Sequence, residues 1–256
     1  MQADWTSDDG AIRLYCADCL QVLPELEAGS VDAVVTDPPY EGMKGGTEIL
    51  GNSGVAKKRH RSMTVGNELG DAAGLVECRR IARYGAIAFC SHHWIEKCRR
   101  LLDGKPKGLV TWYKRNSPPP VCNVPWFSCE WAWAVQYAPG IRWRKLKTHF
   151  DIPMLQAGCF AAERICNDGR SVHPTQKPVA LIQALLLPGM DSVCDPYMGL
   201  ATTIVACIRT GRRAIGIERE KKYFDVAVER CKAELNRHPL LDAIAPPSQL
   251  NLLQDD

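Results

Sequence analysis

Four carboxylates in this 256-residue chain, those of Asp18, Asp37, Asp195 and Glu218, stand at or just beyond the end of a short apolar run. Several of these runs are apolar throughout, which is typical of parallel strands that are covered on both faces. In an open parallel sheet, ligands bind beyond the carboxyl ends of the strands. Four carboxylates gathered there would suit a ligand with several donor groups, such as hydroxyls and amino groups. Acids also follow strands as helix N-caps, which could explain one or two of them.

The segment Thr36-Asp37-Pro38-Pro39-Tyr40 resembles the DPPY motif of amino-methyltransferases, which transfer a methyl group from S-adenosylmethionine to an exocyclic nitrogen. Two prolines fix their φ angles and remove two N–H groups, so the Pro38 carbonyl is held stiffly. This carbonyl and the Asp37 carboxylate can each accept one hydrogen of an amino group, which directs the nitrogen lone pair at the methyl group. Tyr40 offers a face on which a planar base can stack. A simple proline turn after a strand is the alternative explanation of these residues.

A second segment, 195–203, reads Asp-Pro-Tyr-Met-Gly-Leu-Ala-Thr-Thr and resembles the family's cofactor loop, DPFxGSGTT. Gly199 permits a tight turn, and a helix that begins at Ala201 would direct its N–H groups at the methionine carboxylate of the cofactor. Leu200 and Ala201 depart from the family pattern, in which a serine and a second glycine stand. The resemblance implies that the cofactor-binding residues of this segment are Asp195, Tyr197, Gly199, Thr202 and Thr203.

Further matches complete the cofactor site that the resemblance implies. Glu218 matches the acid that binds the two ribose hydroxyls, and the two oxygens of a carboxylate fit a vicinal diol. Asp18 and Cys19 match the segment near the adenine ring. The box at 173–178, which reads HPTQKP, matches one that approaches the methionine end. The contacts expected there are made by His173, Thr175 and Lys177, and Asp37 is expected to contact the cofactor as well as the amine.

The order of the motifs, with DPPY before the cofactor loop, resembles the β class of DNA amino-methyltransferases, a circular permutation of the common arrangement. The resemblance covers residues 11–40 and 171–235 well and the middle of the chain more loosely. It implies a DNA methyltransferase that depends on S-adenosylmethionine. In this class a DPPY spelling points to adenine N6 and an SPPY spelling to cytosine N4. A cytosine-N4 or RNA target stays open, as does a catalytically inactive, nucleic-acid-binding partner subunit, because Leu200 and Ala201 depart from the pattern.

Seven strands and four helices must position these residues. The predicted strands are 12–16, 31–36, 86–90, 109–113, 131–137, 192–195 and 213–217. The predicted helices are 69–84, 178–187, 201–209 and 220–235, the last with an apolar stripe at helical spacing. The alternation predicts an α/β fold: a seven-stranded, mostly parallel sheet with helices on both faces, which is Rossmann-like. We expect a single catalytic domain over 1–256.

A paired base hides its amine inside the duplex, so a DNA methyltransferase must flip the nucleotide out. The irregular segment 41–67 is predicted to clamp the flanking phosphates through Lys57, Lys58, Arg59 and Arg61. Further DNA contacts are expected from Lys114, Arg115 and Asn116. The segment 141–172 is the candidate for target recognition, and its small size indicates a short site or help from a second subunit in a homodimer. An associated restriction enzyme is a further candidate partner.

Composition sets the outer bounds. An apolar fraction of 46% excludes disorder as the main state, and a net charge of +3 is too small to indicate nucleic acid by itself. The amino-terminal residues lack the pattern of a signal peptide, so a cytoplasmic location is expected. Of the 12 cysteines, Cys16 and Cys19 form the one CxxC pair, and without a second such pair no metal site is predicted.

Overall fold

The computed structural model describes residues 1–39, 72–114, 128–152, 166–167, 170–171 and 176–237. Within these residues, nine strands form one sheet: β1 Trp5–Thr6, β2 Ile12–Tyr15, β3 Val31–Thr36, β4 Ala82–Cys90, β5 Lys105–Tyr113, β6 Cys129–Gln136, β7 His149–Asp151, β10 Ser192–Asp195 and β11 Arg213–Ile217. Their order across the sheet is β1-β2-β11-β10-β3-β4-β6-β5-β7. A separate two-stranded ribbon pairs β8 Cys166–Asn167 with β9 Arg170–Ser171.

The centre of the sheet is parallel and its margins are mixed. Strands β2, β11, β10, β3 and β4 run parallel to one another, whereas β6 is antiparallel to both β4 and β5. Every residue of β3 and β10 is buried, as expected for strands that are covered on both faces. The predicted α/β class and mostly parallel sheet are therefore confirmed.

All seven predicted strands are present, but the predicted strand count is wrong, because β1 and β7 add two to the sheet among the described residues. Both lie at an edge. Strand β1 has only two residues and pairs antiparallel with β2. Strand β7 has three residues, of which only Phe150 is buried. Such short and largely polar edge segments carry no periodic signal that a sequence pattern could reveal.

Helices cover both faces of the sheet, as predicted. Their bounds are α1 Cys19–Val22, α2 Gly74–Ile81, α3 Ile95–Leu102, α4 Val179–Leu185, α5 Thr202–Arg209 and α6 Lys221–Leu235. The buried side chains of α4, α5 and α6 belong to one apolar cluster, and those of α1, α2 and α3 belong to a second cluster. The two clusters lie on opposite faces of the sheet, because alternate residues of β3 contribute to each of them.

One helix prediction needs correction, and two observed helices, α1 and α3, were not predicted. The predicted helix 69–84 is observed as α2, and residues 82–84 belong to β4, because the chain becomes extended at Ala82; residues 69–71 lie outside the described part. Helix α3 was not predicted, since its charged residues leave only Cys98 and Leu102 fully buried. Helices α4, α5 and α6 agree with prediction to within two residues at each end.

The long irregular segments are described only in part. The predicted phosphate clamp 41–67 lies outside the described residues. The candidate recognition segment 141–172 is described over residues 141–152 and at the ribbon residues 166–167 and 170–171. Within 141–152 the basic side chains Arg142, Arg144, Lys145 and Lys147 are exposed. Their exposure is compatible with a DNA contact, which stays a prediction.

Two further features concern the described residues alone. No helix in those parts of the chain is long and apolar enough to cross a membrane. In the same parts, no three His, Cys, Asp or Glu side chains converge as a metal ion would require, and nine of the cysteines there are free thiols.

Gly216 lies in β11, where the sheet leaves no room for a side chain. A Cβ atom there would lie 2.4 Å from Met198 Sδ and 3.0 Å from Leu14 Cδ2. We therefore expect Gly216→Ala to lower the free energy of unfolding by about 1–3 kcal/mol, as for other overpacked cores. Denaturant titration measures this. Gly108→Ala in β5 is the control, since its Cβ would first meet Thr148 Cγ2 at 3.1 Å, which a shift of a few tenths of an ångström relieves. An equal loss in both variants would contradict the steric explanation.

Candidate active site

The four carboxylates singled out in the sequence lie at one edge of the sheet. Strands β2, β11, β10 and β3 are consecutive neighbours and run parallel, so their carboxyl ends share that edge. Asp18, Glu218, Asp195 and Asp37 follow these four ends in turn. This edge is where open parallel sheets bind ligands, and it is the candidate active site.

A hydrogen bond joins the two most informative segments. Thr36 Oγ1 donates to Asp195 Oδ1 over 2.7 Å, although 159 residues separate the two. The same carboxylate oxygen accepts the Tyr197 backbone N–H at 3.1 Å. The end of β3, from which Asp37-Pro38-Pro39 continues, is thereby fixed to the start of the loop 195–201.

Asp195 is a buried acid with an unusual titration. Only 3% of the residue is exposed. Burial raises the pKa of Asp195 to about 6, although hydrogen bonds from Thr203 and Thr36 act in the opposite direction. Ionisation of this carboxylate at neutral pH therefore lowers the stability of the folded protein. Such costs are typical of ligand sites, where a strong acceptor is held ready for a donor.

Asp37 lies next to a buried lysine. The Lys177 ammonium forms an ion pair with Asp37 Oδ2, and the side chain of Asp37 is 27% exposed whereas that of Lys177 is 6% exposed. Pro38 is buried and Pro39 is half-buried, so the diproline segment is packed against the protein. The acid of the motif is thus held in place and still reaches the surface of the site.

Lys177 has a second acidic partner, which the sequence did not single out. Its Nζ lies 3.1 Å from Glu130 Oε2, and the other oxygen of Glu130 lies 3.0 Å from Lys114 Nζ. Burial lowers the pKa of Lys177, but the charges of Asp37 and Glu130 more than offset this, and the pKa is raised. Burial raises the pKa of Glu130, but Lys177 and Lys114 more than offset this, and the pKa is lowered. The raised pKa of Lys177 and the lowered pKa of Glu130 both favour the charged forms of this buried pair.

The loop after β10 turns sharply at Gly199, as predicted. Gly199 has φ +52°, and a Cβ there would meet no atom within 4 Å, so space is open beside the turn. Glu218 closes the loop, because Oε2 accepts the Gly199 N–H at 3.1 Å and Oε1 accepts the Glu220 N–H at 2.8 Å. Burial raises the pKa of Glu218 against these two hydrogen bonds.

Leu200 and Ala201, which depart from the family pattern, are accommodated within the loop. Leu200 is 4% exposed, and its carbonyl accepts a hydrogen bond from Arg230 at 2.7 Å. Ala201 has φ +61°, the left-handed conformation that glycine adopts most readily. Alanine thus takes the backbone shape that a second glycine would take, at the cost of some strain. The threonines that follow, Thr202 and Thr203, are buried in the first turn of α5.

The remaining predicted cofactor residues have structural partners. Asp18 caps α1, because its side chain accepts the Leu20 N–H at 2.9 Å; this is the N-cap role considered for these acids. Cys19 is buried, and burial raises the pKa of its thiol to about 11. The Tyr197 hydroxyl accepts the N–H of Gly74, the first residue of α2, at 2.9 Å. Tyr197 therefore fixes the loop 195–201 to the opposite helical layer.

Several predicted site residues lie outside the described part of the chain. They are Tyr40, Lys57, Lys58, Arg59, Arg61, Arg115, Asn116, His173 and Thr175. Of the predicted DNA contacts, Lys114 is described, and its ammonium pairs with Glu130. Lys177, predicted at the methionine end of the cofactor, pairs with Asp37.

Sequence reasoning missed two residues that the geometry makes central. Thr36 was read only as the residue before Asp37, although a hydroxyl at the end of a buried strand needs a partner. Glu130 lies in the middle of the chain, which the resemblance covers only loosely. A glutamate beside a tryptophan at the start of a strand is a signal, since a buried acid must be paired.

The comparisons with known proteins point in one direction. Residues 133–229 match the family model described as "DNA methylase", N6_N4_Mtase. Type II methyltransferase M2.MboI of Moraxella bovis is 24% identical over 88% of this chain and 89% of its own length. Among solved structures, the complex of M1.HpyAVI with SAM has a TM-score of 0.56 at 24% identity, and covers 86% of this chain and 99% of that one. The cytosine-N4-specific PvuII DNA methyltransferase has a TM-score of 0.61 at 15% identity, over 91% and 93% of the two chains.

Proposed function

We propose that this chain transfers a methyl group from S-adenosylmethionine to the N6 amine of adenine in DNA, because it is similar to N6/N4 DNA methylases over residues 133–229 and to Type II methyltransferases over most of its length. One observation carries the proposal. The hydrogen bond between Thr36 and Asp195 ties the Asp-Pro-Pro segment to the loop 195–201 at the ligand-binding edge of the sheet. An acceptor for an amine and a loop for a methyl donor are therefore neighbours.

The described residues fit S-adenosylmethionine. Each oxygen of Glu218 accepts one backbone N–H, and a carboxylate has about four lone-pair sites, so capacity remains for the two ribose hydroxyls. The open space at Gly199 lets a ligand approach the backbone closely. The M1.HpyAVI structure was solved with SAM, which supports the same cofactor here. When bound, the cofactor supplies an electrophilic methyl group on a sulfonium centre.

The protein's part in the reaction is to orient the amine. Asp37 accepts one hydrogen of the exocyclic NH₂ group, and the Pro38 carbonyl accepts the other. The delocalised lone pair of an aromatic amine is a poor nucleophile, and two fixed acceptors stabilise the positive charge that develops on nitrogen. Holding this nitrogen in line with the methyl group adds the proximity contribution.

Adenine is proposed over cytosine because the motif carries aspartate at position 37. The likeness to the cytosine-N4-specific PvuII enzyme keeps cytosine as the second candidate. A cytoplasmic location, a homodimer and an associated restriction enzyme remain predictions that accompany this function.

The direct test uses S-adenosylmethionine with a deuterated methyl group, incubated with the protein and either unmethylated genomic DNA or total RNA. The nucleosides are then released and identified by mass spectrometry. We expect labelled N6-methyladenine from DNA. Labelled N4-methylcytosine would overturn the adenine assignment, and label confined to RNA would overturn DNA as substrate. Cofactor binding without any labelled nucleoside would favour the inactive partner subunit.

The segment 41–67 is proposed to contact the phosphates that flank the flipped base. Changing Lys57, Lys58, Arg59 and Arg61 to glutamine should weaken DNA binding and reduce the slope of log K against log salt by as much as about 3–4, since each lost phosphate contact removes about 0.9. Fluorescence anisotropy over a range of salt concentrations measures both.

The matched control removes the same charge from α6 and its carboxyl end, where four exposed basic side chains are available: Lys221, Lys222, Lys232 and Arg237. Their replacement by glutamine should leave the salt slope close to that of the unmodified protein. Equal slopes in the two quadruple variants would assign the segment 41–67 to solvated surface.

A further inference from the structure

The site contains a row of four alternating charges whose members come from distant parts of the chain. In order they are Lys114, Glu130, Lys177 and Asp37, and we call them the charge row. Successive members are joined at 3.0 Å (Lys114 Nζ to Glu130 Oε1), at 3.1 Å (Glu130 Oε2 to Lys177 Nζ) and by the ion pair between Lys177 and Asp37. Two positive and two negative charges balance within the row.

Lys177 is the least exposed member of the row. The side chains of Lys177, Lys114 and Glu130 are 6%, 12% and 23% exposed. The Lys177 ammonium also lies 5.1 Å from the centroid of the Phe89 ring, a favourable contact for a cation. A buried ammonium needs a negative partner, because an unpaired buried charge is very costly. Glu130 supplies one such partner, so Lys177 does not have to rely on Asp37 alone.

An incoming amine competes with Lys177 for the Asp37 carboxylate. A carboxylate that gives its electron density to an ammonium is a weaker acceptor for a second donor. Because Glu130 also interacts with the Lys177 ammonium, the ammonium binds Asp37 less strongly. Asp37 then remains a stronger acceptor, while Lys177 still restricts the rotation of the Asp37 side chain. Loss of the Glu130 charge would leave Lys177 to Asp37 alone.

We propose that Glu130 is a positioning residue for methyl transfer, which acts through Lys177 to hold Asp37 in place as a strong acceptor of the target amine. This inference rests on the proposed function, because it concerns the same carboxylate. Glu130 does not touch the reacting atoms. Its effect should therefore appear in the turnover number and should depend on Lys177.

A double-mutant cycle with Glu130→Gln and Lys177→Met tests this dependence. Glu130→Gln alone should lower kcat about tenfold with little change in KM for cofactor or DNA, and Glu130→Asp should restore most of the loss because it keeps the charge. In the Lys177→Met background, Glu130→Gln should change kcat less than about twofold, because the residue through which it acts is gone. Equal fold losses in both backgrounds would overturn the proposal.

A second cycle on the same variants needs no catalysis. Unfolding free energies from denaturant titration should be non-additive for Glu130→Gln and Lys177→Met, since each single variant leaves a buried charge with fewer partners. Additive losses would show that Glu130 and Lys177 are not energetically coupled, and the inference depends on that coupling. If the unmodified protein labels no nucleoside, the proposed function fails instead, and the stability cycle still reports on the pair.

Glu234→Gln is the control for a general effect of losing a paired acid. Glu234 pairs with Arg209 through two contacts of 2.8 and 3.0 Å between α6 and α5, away from the charge row. This variant should lower stability and leave kcat within about twofold. A tenfold fall in kcat there would assign the Glu130 effect to general destabilisation.

Discussion

Asp37→Ala is expected to lower kcat by about 10²–10³-fold, the usual cost of removing one preorganised group that stabilises transition-state charge. The amine would lose its charged acceptor. The positive charge that develops on its nitrogen during methyl transfer would then lack the stabilisation that this carboxylate provides. The fold should survive, because Lys177 keeps Glu130 as a partner at 3.1 Å. Steady-state kinetics with thermal unfolding of the same preparation measures both effects.

Asp32→Ala is the matched control for this variant. Asp32 is a buried acid in the same strand, β3, but at the opposite end, where Oδ2 accepts the Ser192 N–H at 2.8 Å and its hydroxyl at 2.9 Å. Its loss should cost about 1–3 kcal/mol of stability, since it leaves buried donors unpaired, and kcat should stay nearly unchanged. Near-normal turnover in Asp37→Ala would remove this carboxylate from the transfer step.

The stability of Asp195→Asn, measured relative to the unmodified protein, is expected to be higher at pH 8 than at pH 4. Burial raises the pKa of Asp195 from 3.8 in the unfolded chain to about 6 in the folded one. A raised carboxyl pKa contributes stability below pH 4 that is lost as the pH rises through about 6. The shift corresponds to about 3 kcal/mol.

The asparagine variant keeps an oxygen that can accept from Thr36 and Tyr197, both of which bond to Oδ1 of the aspartate. Unfolding free energies of both proteins at pH 4 and pH 8 isolate the Asp195 contribution, because the other titrating groups, such as Glu218, are common to both. We expect the difference in unfolding free energy between the two proteins to change by about 3 kcal/mol in favour of the asparagine variant between pH 4 and pH 8. A difference that does not change with pH would contradict the assigned burial cost. Weaker cofactor binding by the same variant would connect that cost to function.

Much of the fold could be predicted because the signals were local. The strands 31–36, 192–195 and 213–217 are observed with those bounds, since buried parallel strands are continuous apolar runs between turns. The antiparallel margin was predicted too short. Strands β4 and β5 begin at Ala82 and Lys105. Ala82 pairs with Val31 of β3, and Lys105 pairs with Gln136 of β6, so the added residues are extended because of their neighbours and not because of a pattern of their own.

The candidate site likewise contains residues that could be predicted from local sequence and residues that could not. Asp37, Asp195, Gly199 and Glu218 could be found because each belongs to a short motif at the end of a strand. The charge row could not, because Lys177 is 140 residues from Asp37 in sequence, and its link to Glu130 exists only once β6 lies at the active-site edge. Ion pairs between distant segments depend on topology, which residue spacing does not encode.

The central claim is that an amine held by Asp37 lies next to a methyl donor bound at Gly199 and Glu218. It is tested most directly by a crystal structure with sinefungin, an analogue that carries an amine in place of the transferable methyl group, and a DNA duplex with an extruded adenine. We predict that adenine N6 donates to the Asp37 carboxylate and lies about 3–3.5 Å from the group that replaces the methyl, the separation of a reactive encounter. An adenine amine that bonds elsewhere, or a cofactor bound away from Glu218, would contradict the account.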